Sequence, residues 1–230
     1  MTTNIPLLKS IIFDLDGTLI NSIPDVRLAL NHTLTIYGQP EIEHDEIVKL
    51  IGDGIHPLIT KAFAKTNVVL KTAEINKAIS HYLDYYKSNP VVATNIYPDV
   101  VNTLQQFKEN GLELGICTNK PSIMTKIILE KLNLKHFFTA IISGDEMSHA
   151  KPHPDHIQEI LRQMNVINLP SVMVGDSIID KLSAENANIP FIGVSYGYGG
   201  NQLNSDMMIN HFSELPAALY YLSTRGNIES

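Results

Sequence analysis

Short apolar runs alternate with amphipathic stretches along most of the chain. Five runs have the length of buried strands and stop at turn residues; they cover residues 7–13, 112–117, 140–142, 171–174 and 190–194. Helical patterns fill the later intervals, at residues 99–110, 122–132, 153–164 and 178–187. This alternation predicts an α/β fold, a Rossmann-like doubly wound parallel sheet with helices on both faces.

The alternation breaks between residues 21 and 90. We find no strand pattern there, but helical patterns at residues 25–37, 44–50, 55–65 and 72–87. An all-helical segment between the first strand and the rest of the sheet indicates an inserted cap domain. We therefore predict a core of residues 1–20 and 91–230 that carries the catalytic site, and a cap of residues 21–90. The crossings near residues 19–22 and 88–96 would act as hinges.

Polar residues follow four of the predicted strands, at the edge where open α/β sheets bind ligands. Asp14 and Asp16 are two apart, so in extended backbone their side chains point the same way. Such close carboxylates repel each other unless a cation or proton intervenes. Asp176, at the end of another strand, supplies a third. An all-oxygen cluster of this kind favours Mg²⁺, with Asp14, Asp16 and Asp176 as its ligands.

The same residues suit phosphoryl transfer. Asp14 could attack phosphorus and form an acyl phosphate. Asp16 could protonate the leaving alkoxide and then activate the hydrolytic water. Thr18 and Thr118 offer hydroxyls to the phosphoryl oxygens, and Lys151 could offset their charge. Asp180, in the first turn of a predicted helix, could reach the metal's water shell or simply favour the helix dipole.

Four segments resemble, in order, the motifs of the haloacid dehalogenase superfamily: DLDGTLINS from Asp14, CTNK from Cys117, KPHPD from Lys151 and GDSIID from Gly175. The helical insert resembles the cap of one subclass. That subclass includes phosphoglycolate phosphatases, sugar-phosphate phosphatases, pyrophosphatases, β-phosphoglucomutases and phosphonatases. The namesake dehalogenases lack an acid at the position of Asp16, so its presence implies phosphate chemistry.

The resemblance implies a role for each matching position. Asp14 would be the nucleophile and a metal ligand, and Asp16 the general acid/base with its backbone carbonyl on the metal. Thr118, with Asn119 beside it, and Lys151 would bind phosphate. Asp176 would complete the metal site, and Asp180 would lie in or near the shell around it.

Two weaker likenesses point to phosphoglycolate phosphatases within the subclass. The segment IGDGIHPLI resembles their cap loop, which makes Gly52, Asp53, Gly54 and His56 candidate substrate contacts. The segment GVSYGYG resembles a loop after their last core strand. Residues 52–59 contain no Lys or Arg, which disfavours a β-phosphoglucomutase. We therefore expect a Mg²⁺-dependent phosphatase for a small phosphorylated metabolite, foremost 2-phosphoglycolate. A pyrophosphatase, a nucleotidase and a sugar-phosphate phosphatase or mutase remain alternatives.

Composition limits the classes of partner and the cellular location that we expect. The 230 residues carry 17 Lys and Arg against 24 Asp and Glu, a net charge of −7, which argues against nucleic-acid binding. Cys117 is the single cysteine, so no internal disulfide can form and a cytoplasmic location is expected. We find no signal peptide and no membrane-spanning pattern, and expect no membrane partner. A monomer and a homodimer both remain open.

Other interpretations carry less weight. A zinc site could use His149, His153 and His156 around Lys151, although the loop is rich in proline and has no cysteine partner. A phospho-receiver module also uses an acidic Mg²⁺ site, but it needs neither a cap nor Asp16. A degenerate binding protein would not be expected to retain all of the acidic residues.

Two positions depart from the family pattern. Asn21 replaces an Asp usual in the family, with little expected consequence. Asn188, where the family usually has Gly, can adopt left-handed backbone.

Overall fold

A six-stranded parallel sheet forms the centre of the molecule. The computed structural model describes residues 8–199 and 203–224. In chain order the strands are β1 (Ser10–Phe13), β2 (Ile20–Asn21), β3 (Asn95–Ile96), β4 (Glu113–Cys117), β5 (Ala140–Ile142), β6 (Ser171–Gly175), β7 (Phe191–Val194) and β8 (Met208–Ile209). The order of strands in the sheet is β5-β4-β1-β6-β7-β8. Strand β1 pairs in parallel with β4 on one side and β6 on the other, so Phe13 lies level with Ile116 and Val174.

Helices cover both faces of this sheet. In chain order the α-helices are α1 (Ile23–Ile36), α2 (His44–Val48), α3 (Ile55–Lys65), α4 (Thr72–Ser88), α5 (Val100–Glu109), α6 (Ser122–Lys131), α7 (Asp155–Gln163), α8 (Ile178–Asn186) and α9 (Leu215–Thr224). Ile11 and Phe13 of β1 join the apolar core that contains α5, α6 and α9. Ile12, between them, joins the separate core of α7 and α8. This period of two confirms the predicted doubly wound α/β fold.

Helices α1 to α4 form the wall opposite the strand ends. Leu34, Ile47, Phe63 and Tyr82, one from each helix, are buried together. Their apolar cluster is continuous with the core under α5, α6 and α9. The structure thus has helices where the insert was predicted, while the division into a cap of residues 21–90 and a core stays a prediction.

The two chain crossings pair with each other. Strands β2 and β3 form a short antiparallel ribbon in which Ile20 faces Ile96 and Asn21 faces Asn95. Beside it, the buried Asp25 carboxylate accepts hydrogen bonds from the backbone N–H groups of Val92 (3.0 Å), Ala93 (2.9 Å) and Thr94 (2.9 Å), and from the Thr94 hydroxyl (2.6 Å). The segments predicted as hinges are therefore tied together by backbone pairing and by one carboxylate.

Several boundaries differ from the pattern-based expectations. The first strand begins at Ser10, and Leu7 lies outside the described residues. Helix α7 begins at Asp155 because the two prolines before it hold the chain outside the helix. Strand β8 and helix α9 were not predicted at all. Asn188 has a φ of 56°, which confirms the left-handed backbone expected there. None of the helices in the described part of the chain is long and apolar enough to cross a membrane.

Candidate active site

Three buried carboxylates meet at the carboxyl edge of the sheet. Asp14 directly follows β1, Asp176 follows β6, and Asp180 lies in the first turn of α8. Each has a carboxylate oxygen within 4.8 Å of the other two. Their positions follow from the topology, because β1 and β6 are neighbouring parallel strands that end at the same level.

Lys151 places one ammonium group in this cluster. Its Nζ atom donates to Asp14 Oδ1 (2.6 Å), Asp180 Oδ1 (2.6 Å) and the carbonyl oxygen of Cys117 (2.7 Å). These three contacts use all three of its N–H donors. Burial alone would lower the pKa of Lys151, but the two carboxylates outweigh it and hold the pKa above its ordinary value. Lys151 is therefore a permanent positive charge beside Asp14.

The cluster still carries excess negative charge. Three carboxylates against one ammonium leave two negative charges if all groups are ionised. Burial, opposed by Lys151, raises the pKa of Asp14 to about 7, and burial together with Asp180 and Asp14 raises that of Asp176. A divalent cation would balance this charge, and an all-oxygen donor set suits a hard cation. These residues therefore fit a metal ion.

Asp16 lies apart from the other carboxylates and has its own cation. Lys120 Nζ lies 3.0 Å from each of its carboxylate oxygens, and the Ser22 hydroxyl donates to Oδ1. Lys120 is itself buried, with its ammonium 5.2 Å from the centre of the Tyr86 ring of α4. The Asp16 carboxylate thus lines the same cavity but is paired with its own lysine and is not one of the three clustered carboxylates. Contact between a metal and the Asp16 backbone carbonyl stays a prediction.

The sequence reasoning did not identify Lys120. The only signal was its place two residues after Thr118 in a motif at a strand end. Nothing in the local pattern shows that its side chain reaches Asp16, because the two residues come from different strands and are 104 positions apart.

The glycine-rich loop after β7 donates backbone hydrogen bonds to Asp176. The backbone N–H groups of Tyr198 (2.6 Å) and Gly199 (3.3 Å) donate to Asp176 Oδ2. A Cβ atom on Gly17 or Gly197 would overlap the Asp176 side chain. Both positions therefore need glycine, and the GVSYGYG segment orients a carboxylate of the site.

The same loop holds the chain after β1. The Tyr196 hydroxyl donates to the carbonyl oxygen of Thr18 (2.8 Å). The Tyr198 oxygen accepts from the backbone N–H of Ser22 (2.8 Å) and donates to Asn21 Oδ1 (3.2 Å). Asn21, which departs from the family pattern, thus takes part in fixing this loop. Gly200 and the two residues after it lie outside the described range.

The predicted phosphate-binding residues occupy different surroundings. Thr118 lines the cavity above the carboxylates, whereas Thr18, also buried, is not among the described lining residues. The Thr18 hydroxyl instead lies 3.5 Å from Asp176 Oδ1. The Asn119 amide is already engaged: Nδ2 donates to the carbonyls of Gly52 (3.0 Å) and Lys151 (3.2 Å), and Oδ1 accepts from the Lys151 N–H (2.9 Å). Asn119 therefore joins the helical wall to the lysine loop.

The helical wall closes the other side of the cavity, whose volume is about 720 Å³. Gly52, Asp53 and Gly54 line it, but the Asp53 carboxylate is paired with Lys61. His56 is exposed and is not among the lining residues of the described chain. The rest of the wall is largely apolar, with Val48, Ile51, Ile55, Leu58 and Tyr82 facing the cavity.

The three loop histidines do not come together. His149 and His153 are exposed and stack on each other, with ring centres 4.4 Å apart. His156 is completely buried, and neither of its ring nitrogens has a hydrogen-bond partner among the described residues. Burial and the nearby Lys151 lower the pKa of His156 to about 4. The structure therefore does not support a zinc site made of all three.

Comparisons with known proteins agree with the motifs. Residues 11–194 match the family model described as haloacid dehalogenase-like hydrolase. A curated phosphoglycolate phosphatase of Agrobacterium fabrum is 36% identical over 95% of both chains, and one of Colwellia psychrerythraea is 34% identical over 91% of this chain and 96% of its own. A crystal structure described as a predicted phosphoglycolate phosphatase, from Haemophilus somnus, superposes with a TM-score of 0.84 at 29% identity, covering 90% of this chain and 96% of that one.

Proposed function

Because the chain belongs to the haloacid dehalogenase-like hydrolases, we propose that it is a Mg²⁺-dependent phosphatase that hydrolyses 2-phosphoglycolate through an aspartyl phosphate on Asp14. One observation carries this proposal above the others. The Asp14 carboxylate is buried on the floor of the cavity, 2.6 Å from Lys151 and among carboxylates that fit a cation. The substrate follows from the names of the two curated relatives.

Asp14 is the nucleophile of the first step. Its free carboxylate oxygen attacks phosphorus, the bond from phosphorus to the ester oxygen breaks, and the leaving glycolate oxygen takes a proton from Asp16. Lys151 holds the other Asp14 oxygen and balances the charge of the transferring group.

Asp16 works in both steps. After it has given its proton to glycolate, it removes a proton from the water that attacks the aspartyl phosphate. That attack breaks the bond between the Asp14 oxygen and phosphorus, releases inorganic phosphate and frees Asp14. At the end of the cycle Asp16 is protonated again, and Lys120 and Ser22 hold its side chain and so fix the group that moves the proton.

Asp14, Asp176 and the backbone carbonyl of Asp16 would hold Mg²⁺, with Asp180 beside them. When bound, the ion would supply positive charge that offsets the carboxylates and the phosphoryl oxygens and would so lower their mutual repulsion. Asp180 keeps Lys151 in place through its 2.6 Å hydrogen bond. Thr118 supplies a hydroxyl that lines the cavity, and closure of the helical wall over the substrate would exclude bulk water.

Phosphate release from a substrate panel tests the proposal. The panel contains 2-phosphoglycolate, glucose 6-phosphate, a nucleoside monophosphate and pyrophosphate, because a cavity of about 720 Å³ has room for larger esters. We expect kcat/KM for 2-phosphoglycolate to exceed the others by about tenfold or more. EDTA should abolish turnover and added Mg²⁺ should restore it. A higher kcat/KM for another substrate would overturn the substrate assignment, and full turnover in EDTA would overturn the metal assignment.

A further inference from the structure

A second group of metal-ligating side chains lies on the loop that leads into α7, outside the cavity. His149 Nδ1 lies 3.2 Å from Asp155 Oδ2, and His153 Nδ1 lies 3.1 Å from Asp155 Oδ1. The two imidazole rings are stacked with an angle of 28° between their planes. One ligand atom from each of the three residues lies within 4.8 Å of the other two.

The donor set differs from that of the acidic cluster. Two imidazole nitrogens and one carboxylate oxygen suit a borderline cation such as Zn²⁺, whereas an oxygen-only set suits Mg²⁺. Zn²⁺ bonds of 2.0–2.1 Å in a tetrahedron put neighbouring ligand atoms about 3.3 Å apart. The observed nitrogen-to-oxygen separations of 3.1 and 3.2 Å are close to this value, but each imidazole faces a different oxygen of Asp155, so the carboxylate must rotate to direct one oxygen at an ion bound by both rings. The three side chains remain 33–61% exposed, which leaves the fourth position open to water.

The loop is restrained at residues 151–156. Pro152 and Pro154 flank His153 and restrict its backbone. Asp155 is the first residue of α7, and the next residue, His156, is completely buried. Lys151, between the two exposed histidines in sequence, points inward to Asp14 and Asp180. One loop thus presents the ammonium group of Lys151 to the cavity and two imidazoles to solvent.

We propose that His149, His153 and Asp155 form a peripheral binding site for Zn²⁺ or a similar borderline divalent cation. A bound ion would link the residues on either side of Lys151 to the start of α7. It would therefore restrict the loop that carries Lys151. The site shares no residue with the acidic cluster and does not depend on the proposed phosphatase activity.

Calorimetric titration of the full chain with Zn²⁺ tests this site, in saturating Mg²⁺ so that the acidic cluster is occupied. We expect one Zn²⁺ per chain, and a Tm that rises by at least about 5 °C at a hundredfold excess over Kd. The His149→Gln/His153→Gln variant should bind at least about tenfold more weakly. The matched control, His136→Gln/His211→Gln, changes two exposed histidines on other elements and should bind as the parent does.

A second readout identifies the ligands. Co²⁺ in place of Zn²⁺ should give the visible absorption bands of a four-coordinate site, and the His149→Gln/His153→Gln variant should lose them. Absence of Zn²⁺ binding would overturn the proposal. Equal binding by the parent and that variant would also overturn it, because the ion would then lie elsewhere. Loss of phosphatase activity, by contrast, would not affect either readout.

Discussion

The floor and the helical wall of the cavity are built from different kinds of residue. The floor consists of charged side chains. Lys151 binds Asp14 and Asp180, Lys120 binds Asp16, and Asp176 is held by backbone N–H groups beside them. The part of the helical wall that lines the cavity, residues 48, 49, 51–55 and 58 together with Tyr82, presents mainly apolar side chains and glycine backbone. Its charged members pair with residues of the adjacent helices, Lys49 with Glu46 of α2 and Asp53 with Lys61 of α3.

We therefore expect the floor to carry the reacting groups and the wall to enclose the substrate. On the floor, removing one charge leaves its buried partner without compensation, so the effect on rate or folding should be large. On the wall, the exposed ion pairs contribute little because water screens them. The Asn119 amide connects the two regions through its hydrogen bond to the Gly52 carbonyl. The comparison predicts that substitutions on the floor lower activity or stability much more than substitutions on the wall do.

Asp14→Asn should have the largest effect of any substitution. An amide cannot act as the nucleophile, so we expect kcat to fall by about 10⁴-fold or more, with the fold retained. Steady-state phosphate release measures it. Asp53→Asn is the matched control on the wall and should change kcat less than about threefold. Comparable losses in the two variants would remove the distinction between floor and wall.

Asp25→Ala tests how the wall is attached. The substitution leaves three backbone N–H groups and the Thr94 hydroxyl without their acceptor. We expect the free energy of unfolding to fall by about 3 kcal/mol in urea denaturation. Asp84→Ala, an exposed carboxylate on α4, should change it by less than about 0.5 kcal/mol. Equal stability of both variants would show that the ribbon alone fixes the crossings.

Lys120→Met tests the group that holds Asp16. Without its ammonium the Asp16 carboxylate loses both 3.0 Å contacts, so proton transfer becomes less well directed. We expect kcat to fall by about 10²-fold while KM changes less than about threefold. A rise in KM with unchanged kcat would contradict this positioning role and assign Lys120 to substrate binding. Lys49→Met, on the wall, is the matched lysine control.

His56→Gln should have the smallest effect. The side chain is exposed and outside the described cavity lining, so we expect changes of less than about twofold in kcat and KM. Progress curves with 2-phosphoglycolate suffice for this comparison. A rise in KM of tenfold would show that the wall closes further over the substrate than it does in this structure.

The sequence located the floor better than the wall. Asp14, Asp176 and Thr118 each follow an apolar run, and parallel strands necessarily bring such positions to one edge. Lys120 and the loop around Tyr198 were not placed in this way, because their partners lie on distant segments. Likewise, His56 was a candidate from a local likeness, but only the packing of α3 decides that it faces solvent.

Short strands were the other part of the fold that the sequence pattern could not predict. Strand β8 has two residues, too few to show a period, and its place is set by pairing with β7. Strands β2 and β3 are equally short and depend on each other. The ion pair of Asp16 with Lys120 and the hydrogen bonds of Asp25 to residues 92–94 likewise arise from tertiary contacts, which a local sequence pattern does not predict.

Trapping the phosphorylated enzyme tests the central claim most directly. The protein is mixed with 2-phosphoglycolate and Mg²⁺, quenched in acid, and treated with borohydride, which reduces an acyl phosphate on aspartate to homoserine. Mass spectrometry of the peptide that spans Asp14 then identifies the site. We predict homoserine at position 14 in the parent enzyme and none in Asp14→Asn. Rapid turnover with position 14 unmodified, or with homoserine at another aspartate, would contradict the assignment of Asp14 as the nucleophile.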